Sequence, residues 1–343
     1  MTVLHLLGSP GDGGAETYFL ELVRALAEDG LPQAAAIHAN RAREAALSAL
    51  GVPGHVLPFG APFDLVTGPR IRALAKALPA GVLLQWMNRA GRVVPRSGPW
   101  KRIGRLGGYY DLKYYKGADL LVANTNDILV HIVAQGWPAD RAVYVPNFAE
   151  PAGGAAPVER ASLETPEGAP LLLAMGRLHK VKAHDVALKA LVHLPDAYLW
   201  IAGEGPEGPA LKHLAERLGV ASRVRFLGWR RDASALYRAA DLCVFPSRYE
   251  PLGNTVIQAW AHGTPIVAAA SQGPGVLIRD GEDGLLAPID DVEGLALQIR
   301  RALADPAVSS RLAEAGLARA SSEFAKAPVV ARWRELFAGF GEG

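Results

Sequence analysis

LCVFPSRYEPLGNTVIQAWAHGTPIVAA, residues 242–269, is the stretch on which the fold turns. It opens on an apolar run at 242–245 and passes through a loop of Pro, Gly and polar residues. A helical pattern over 256–262 follows, closed by Gly263-Thr264-Pro265, and a second apolar run occupies 266–269. Short continuous apolar runs are strands covered on both faces, and strands separated by helices build a parallel sheet.

The same unit recurs outward in both directions. Upstream in the second half, strands are predicted at 171–175, 198–202 and 224–227, with a helix carrying Leu211, Leu214, Ala215 and Leu218 on one face. In the first half, strands are predicted at 3–7, 33–38, 55–59, 82–87, 120–124 and 142–145. The helix between the first two places Phe19, Leu22, Val23 and Leu26 on a core-facing stripe. The pattern breaks over 149–157, a Pro-, Gly- and Ala-rich stretch read as an interdomain linker. After about residue 290 the chain reads as mostly helical. Its last stretch, 328–340, gathers Val329, Val330, Trp333, Leu336 and Phe337 on one side, so that helix is expected to cross back onto the first domain. The fold class is therefore α/β, with two doubly wound Rossmann-like domains facing across a cleft. They comprise 1–150 with the C-terminal helix 326–343, and 151–325.

Composition bounds what such a molecule does. A length of 343 residues gives each domain enough chain for its own core. A formal charge of +2 excludes a globally basic nucleic-acid binder and a disordered polyanion. One cysteine excludes a disulfide scaffold or a cysteine-built zinc site and fits a reducing compartment. Residues 1–7 are apolar but lack a basic flank and end at Gly8-Ser9-Pro10-Gly11, too soon for a signal peptide. No apolar run approaches the ~18 residues of a spanning helix. A cytoplasmic protein is expected, with any membrane contact peripheral, on the inner face of the cytoplasmic membrane.

Three loops carry the chemistry, each directly after a predicted strand, where doubly wound sheets bind ligands. The first, GSPGDGGAE at 8–16, includes Gly13 and Gly14 and opens the first helix. Glycine backbone there lets N–H groups approach a phosphate at the helix start. It matches neither the dinucleotide fingerprint nor the P-loop, and a plain glycine turn is the bland alternative. The second, GRLHKVK at 176–182, sets Arg177 and Lys182 five residues apart, a fork and a compact charge suited to a diphosphate. A basic loop that is merely solvated is the alternative. Gly203-Glu204-Gly205-Pro206 follows the next strand. In the third, Gly253, Asn254 and Thr255 start a helix without a covering side chain, and Glu250 stands beside them. A carboxylate there repels phosphate unless it faces something else, and the hydroxyls of a sugar ring suit it. Otherwise it favours the helix dipole alone.

Taken in order from Gly13-Gly14-Ala15-Glu16 through Gly176-Arg177 and Lys182 to Pro246-Ser247, Glu250, Ala261 and Gly263-Thr264-Pro265-Ile266-Val267, the chain resembles the retaining nucleotide-sugar glycosyltransferases of family 4 (group 1, GT-B fold) over nearly its whole length. The resemblance implies a hexosyltransferase whose second domain holds a nucleotide diphosphate-sugar and whose first holds the acceptor. Arg177 and Lys182 would neutralise the departing diphosphate without a metal or a cofactor. Glu250 would contact the donor sugar. Gly176, Gly203, Glu204, Leu252 and the amides of Gly253, Asn254 and Thr255 would line the donor site, with backbone near Arg225 and Phe226 beside the base. A uridine diphosphate donor is favoured by family frequency. Two departures stand out. The second Glu of the family's acidic motif, which usually binds ribose, is Gln258 here. The strand end 85–89, Gln-Trp-Met-Asn-Arg, lacks the His of many members, so no general base is nominated. The leaving phosphate can assist deprotonation of the acceptor instead.

The acceptor is read from 89–116, which holds 8 basic residues against Asp111 alone, a local charge of +7. Trp100, Tyr109, Tyr110, Tyr114 and Tyr115 are interleaved with them. Asn88, Arg89, Arg105, Tyr109, Tyr110 and Lys113 are the acceptor or membrane residues nominated. Such a face suits an anionic lipid surface or a lipid-linked, lipopolysaccharide-type acceptor. It would also suit single-stranded nucleic acid, though no other feature supports that partner, and a solvated helix pair is the bland alternative. His5 and His38 read as core residues and His179 as a loop residue near the diphosphate. Cys243 reads as buried and inert. A nucleotide-sugar epimerase and a non-catalytic sugar-nucleotide binder are the competing functions, while a nicotinamide dehydrogenase lacks its fingerprint.

Overall fold

The computed structural model describes residues 1–11, 13–60, 64–150 and 154–340. Asp12 of the first glycine loop, residues 151–153 of the expected linker and residues 341–343 lie outside them. The chain divides into two compact units, Met1–Asn147 with Lys326–Gly343, and Phe148–Ala325.

The first unit runs β1 (Thr2–Leu7), α1 (Gly14–Glu28), β2 (Gln33–Ile37), α2 (Arg41–Ala49), β3 (Gly54–Val56), α3 (Thr67–Ala77), β4 (Ala80–Trp86) and α4 (Met87–Gly91). It continues with β5 (Lys101–Leu106), β6 (Leu120–Ala123), α5 (Asn126–Ala134) and β7 (Ala142–Tyr144). All seven strands are parallel, in the order β3-β2-β1-β4-β5-β6-β7, so strand order reverses between β1 and β4. Phe19, Leu22, Val23 and Leu26 of α1 are fully buried, each contributing roughly 1.5–3 kcal/mol of apolar transfer.

The second unit contains β8 (Leu171–Met175), α6 (His184–Val192), β9 (Tyr198–Ala202), α7 (Gly208–Arg217), β10 (Val224–Gly228), α8 (Ala233–Ala239), β11 (Leu242–Phe245) and α9 (Asn254–Ala261). It ends with β12 (Ile266–Ala269), α10 (Gln272–Leu277), β13 (Leu285–Ala287), α11 (Val292–Ala304) and α12 (Pro306–Glu323). These strands too are parallel, in the order β10-β9-β8-β11-β12-β13, with the reversal between β8 and β11. That reversal puts the loops after β8 and β11, which carry Arg177, Lys182 and Glu250, side by side at the carboxyl edge.

The final helix, α13 (Lys326–Ala338), belongs to the first unit and packs on α1. Trp333 is fully buried, Lys326 pairs with Glu28 at 3.0 Å, and Arg334 pairs with Asp29.

The second unit starts at Phe148, and the Ala149 amide donates to the Phe324 carbonyl at 3.1 Å. Two readings need correction. β5 runs through the middle of the basic stretch 89–116 as an interior strand. Its basic residues hide it, and Gly104 makes room for Tyr115, since a Cβ there would lie 2.5 Å from that ring. His38 is half-buried at the end of β2, outside the core.

Candidate active site

In the second unit, glycines knit the strand ends. Gly176 and Gly203 have φ of 145° and 148°, and a Cβ at Gly203 would lie 2.0 Å from the Gly176 carbonyl oxygen. Only residues without a side chain let the loops after β8 and β9 touch this closely. The Gly176 amide donates to Ala202 at 3.0 Å, the Gly203 amide to Gly228 at 2.8 Å, and the Leu178 amide to Glu204 at 2.8 Å. The Glu204 carboxylate accepts from the Trp229 amide at 3.3 Å.

Arg248 then ties the loop after β11 to the loop after β8. Its Nη1 and Nη2 reach the two carboxylate oxygens of Asp185 at 2.9 and 2.8 Å, and Nε reaches Asp290 at 2.6 Å. Nη1 also donates to the Lys180 carbonyl at 2.7 Å, and the Arg248 amide to Val181 at 2.8 Å. Burial alone would raise the Asp185 carboxyl, yet the hydrogen bonds from Arg248 hold it below the ordinary carboxylate range. A planar fork on a carboxylate fixes orientation as well as distance.

The clasp brings together the residues that matter. Lys182 Nζ forms an ion pair with Glu250, both largely shielded from solvent, and lies 5.3 Å from the Phe245 ring centroid. The other Glu250 oxygen accepts from the Gly253 amide at 3.4 Å. Gly253 has φ of 91° and no side chain caps α9. Half-buried Asn254, Thr255 and Gln258 share one face of that helix, while Leu252 and Gly253 are buried behind it. Arg177 is exposed on the loop after β8. A carboxylate paired with an ammonium and an uncapped helix start thus stand in one place, an arrangement that attracts an anion and offers hydrogen bonds to hydroxyls.

Sequence reasoning missed the residues that aim Glu250. Gln272 accepts from the Glu250 amide at 3.4 Å, and the Gly273 amide donates to the Glu250 carbonyl at 2.7 Å. A Cβ at Gly273 would lie 2.4 Å from the Leu252 carbonyl carbon and oxygen. Arg248 stood inside the motif itself, but its partners Asp185 and Asp290 carry no signal until the fold is known. Arg225 is committed elsewhere: its guanidinium holds the carbonyls of Leu163 and Glu164 and lies 5.6 Å from the Tyr198 ring centroid. Both Arg225 and Phe226 lie within β10, whose carboxyl end is Gly228, followed by Trp229, 64% exposed.

In the first unit, Gly13 caps α1 without a side-chain bond and Gly14 begins it, both exposed. Buried Arg43 pins the loop by bonding the Ser9 and Gly11 carbonyls at 2.9 and 2.8 Å. The stretch 89–116 does not form the single basic, aromatic face expected of it. Trp100 and Tyr115 are core residues, and Arg105 is only 3% exposed. Arg89, Arg92, Arg96, Lys101, Lys113 and Lys116 are exposed, and Lys113 pairs with Asp111 at 2.6 Å. Tyr109 donates to Asp127, Tyr110 is half-buried with its carbonyl accepting from Gln135 at 3.0 Å, and Asn88 is half-buried on α4. Among the described residues, no cluster of three or more His, Cys, Asp or Glu is placed to hold a metal.

Two Rossmann-like units with this loop set define a glycosyltransferase of the GT-B fold, and the chain belongs to the group 1 glycosyltransferases. The family described as "Glycosyl transferases group 1" matches residues 156–319. The chain is 36% identical over 339 residues to the lipopolysaccharide core biosynthesis glycosyltransferase LpsE of Rhizobium meliloti (strain 1021), covering 95% of this chain and 96% of that protein. It is 34% identical to LpsD of the same organism, covering 98% of each. Among solved structures, it resembles a glycosyltransferase from Rickettsia africae ESF-5, with a TM-score of 0.88, 17% identity and coverage of 100% and 99%. It also resembles Anabaena Alr3699/HepE, solved in complex with UDP and glucose, with a TM-score of 0.85, 21% identity and coverage of 99% and 100%.

Proposed function

We propose that the protein is a retaining family 4 enzyme that moves a sugar from a UDP-sugar to a lipopolysaccharide-core or other lipid-linked envelope acceptor, without a metal. The observation that carries the reading is the Lys182–Glu250 pair, held beside the uncapped start of α9 by the Arg248–Asp185 clasp. In this reading the second unit binds the donor and the first the acceptor. Lys182 and Arg177 stabilise the diphosphate as the bond from the anomeric carbon to its oxygen breaks. The acceptor hydroxyl attacks that carbon from the same face, and its proton passes to the departing phosphate oxygen. Glu250 hydrogen-bonds the donor sugar, and Gln258 offers an acceptor and donors to ribose.

The acceptor class is supported by the names of LpsE and LpsD, which match over nearly their full length. No helix among the described residues is long and apolar enough to cross a membrane. The exposed basic residues around Arg89 and Lys101 support contact with an anionic leaflet from the cytoplasmic side.

A thermal-shift comparison of UDP, GDP and ADP tests the donor: UDP is expected to raise the melting temperature most, and equal or absent shifts sink the assignment. Lys182→Ala is expected to lower kcat about 100- to 1000-fold with a smaller change in KM. NMR of the product reads the anomeric configuration, and an inverted product overturns the retaining mechanism.

A further inference from the structure

Among the described residues, the first unit buries a cation that no carboxylate neutralises. The Arg105 guanidinium carbon lies 4.6 Å from the Tyr18 ring centroid and 4.8 Å from that of Trp86, between two aromatic faces. Nη2 donates to Asn147, Nε is buried with no partner, and among the described residues no acceptor meets Nη1 and no carboxylate pairs with the side chain. Burying a guanidinium without a counter-charge costs more than one neutral amide and two ring faces return.

The surroundings leave matching gaps. Arg105 sits near the carboxyl end of β5, the edge where parallel sheets take ligands. Just past that end, a Cβ at Gly107 would lie 3.4 Å from Asn124 Nδ2 and 3.6 Å from Arg105 Nη1. The glycine therefore keeps open a space bordered by two N–H donors. The buried Tyr115 hydroxyl also lacks a partner and can donate, while the orphaned Asn124 Oδ1 is an acceptor that a protonated oxygen or hydroxyl beside the anion would meet.

We propose that Arg105 and Asn124, across the gap left by Gly107, form a subsite for an oxyanion group of the acceptor, a phosphate or a carboxylate. The subsite rests on the reading of the first unit as the acceptor unit. It also changes what the basic stretch does: recognition is internal at Arg105, and the exposed cations around it serve attraction only.

Calorimetric titration of the full-length chain saturated with UDP tests this, using a hexose 6-phosphate, the corresponding uronic acid and the neutral hexose at fixed ionic strength. At least one anionic sugar is expected to bind tenfold or more tightly than the neutral one, and the preferred arm names the group. Arg105→Gln is expected to abolish that preference. Asn124→Asp, which places a carboxylate beside Arg105, is expected to fold and to abolish it equally, with UDP affinity unchanged. Equal binding of charged and neutral sugars, or a preference surviving Asn124→Asp, overturns the subsite. Failure of UDP to bind overturns the donor reading instead, and the anion comparison is then made without UDP and judged by the same criterion.

Discussion

Arg248 shows how a residue can govern a site without entering it. Its fork holds Asp185 and its Nε holds Asp290, so the loops carrying Lys182 and Glu250 keep one mutual position. Arg248→Lys keeps the charge and loses the fork. It is expected to lower kcat about 10- to 100-fold while circular dichroism and UDP-induced stabilisation stay near wild type. Asp185→Asn weakens the shared fork and leaves the Arg248–Asp290 contact, so its loss should not exceed that of Arg248→Lys, and the double variant should lose little more than Arg248→Lys alone. Additive losses would show that the two residues act separately. Neither partnership is visible in sequence, since 63 residues separate Arg248 from Asp185.

At the scale of elements, loop backbones are fixed by glycines that nothing can replace. Gly273, in the first turn of α10, lies against the carbonyl of Leu252, so Gly273→Ala must push the Glu250 loop away or shift the helix. The expected result is a loss of activity of about 100-fold with about 1–3 kcal/mol of stability, read by urea unfolding beside a transfer assay. Wild-type activity would mean that the loop tolerates displacement. The elements themselves were legible where burial on both faces leaves an unbroken apolar run: β8, β9, β11 and β12 coincide with their predicted limits. β5 was not legible, because Lys101, Arg102 and Arg105 interrupt its apolar pattern. Its strand character comes from neighbours, with β4 on one side and β6 on the other, and from rings that flank Arg105. In the site, Lys182, Glu250 and the start of α9 could be read from residue types after strands. Gln272 and Gly273 could not, because it is the parallel pairing of β12 beside β11 that brings the start of α10 against the Glu250 loop.

For the whole molecule, acid should weaken the second unit; in the first, buried His5 acts the same way, but burial also raises the Glu21 carboxyl to about 7, which works against it. Burial holds the imidazoles of His5, in the first unit, and His184, in the second, at about 4. An unfolded chain takes up that proton near pH 6.5. The contribution of each histidine is therefore full above that value, falls as pH drops through it, and levels off below 4, at a loss of roughly 3 kcal/mol per histidine. Urea unfolding at pH 7 and 4.5 measures this, and His184→Gln should flatten the pH dependence of the second unit alone. An unchanged slope would remove His184 as the cause. The return of α13 to the first unit has a consequence for synthesis. Lys326 and Glu28, which pair in the folded chain, are 298 residues apart. A ribosome therefore completes the entire second unit before it supplies the helix that covers α1. Until then the first unit is an unfinished body with an apolar stripe exposed, and the nascent chain's hold on chaperones should end only when Trp333 has emerged and seated.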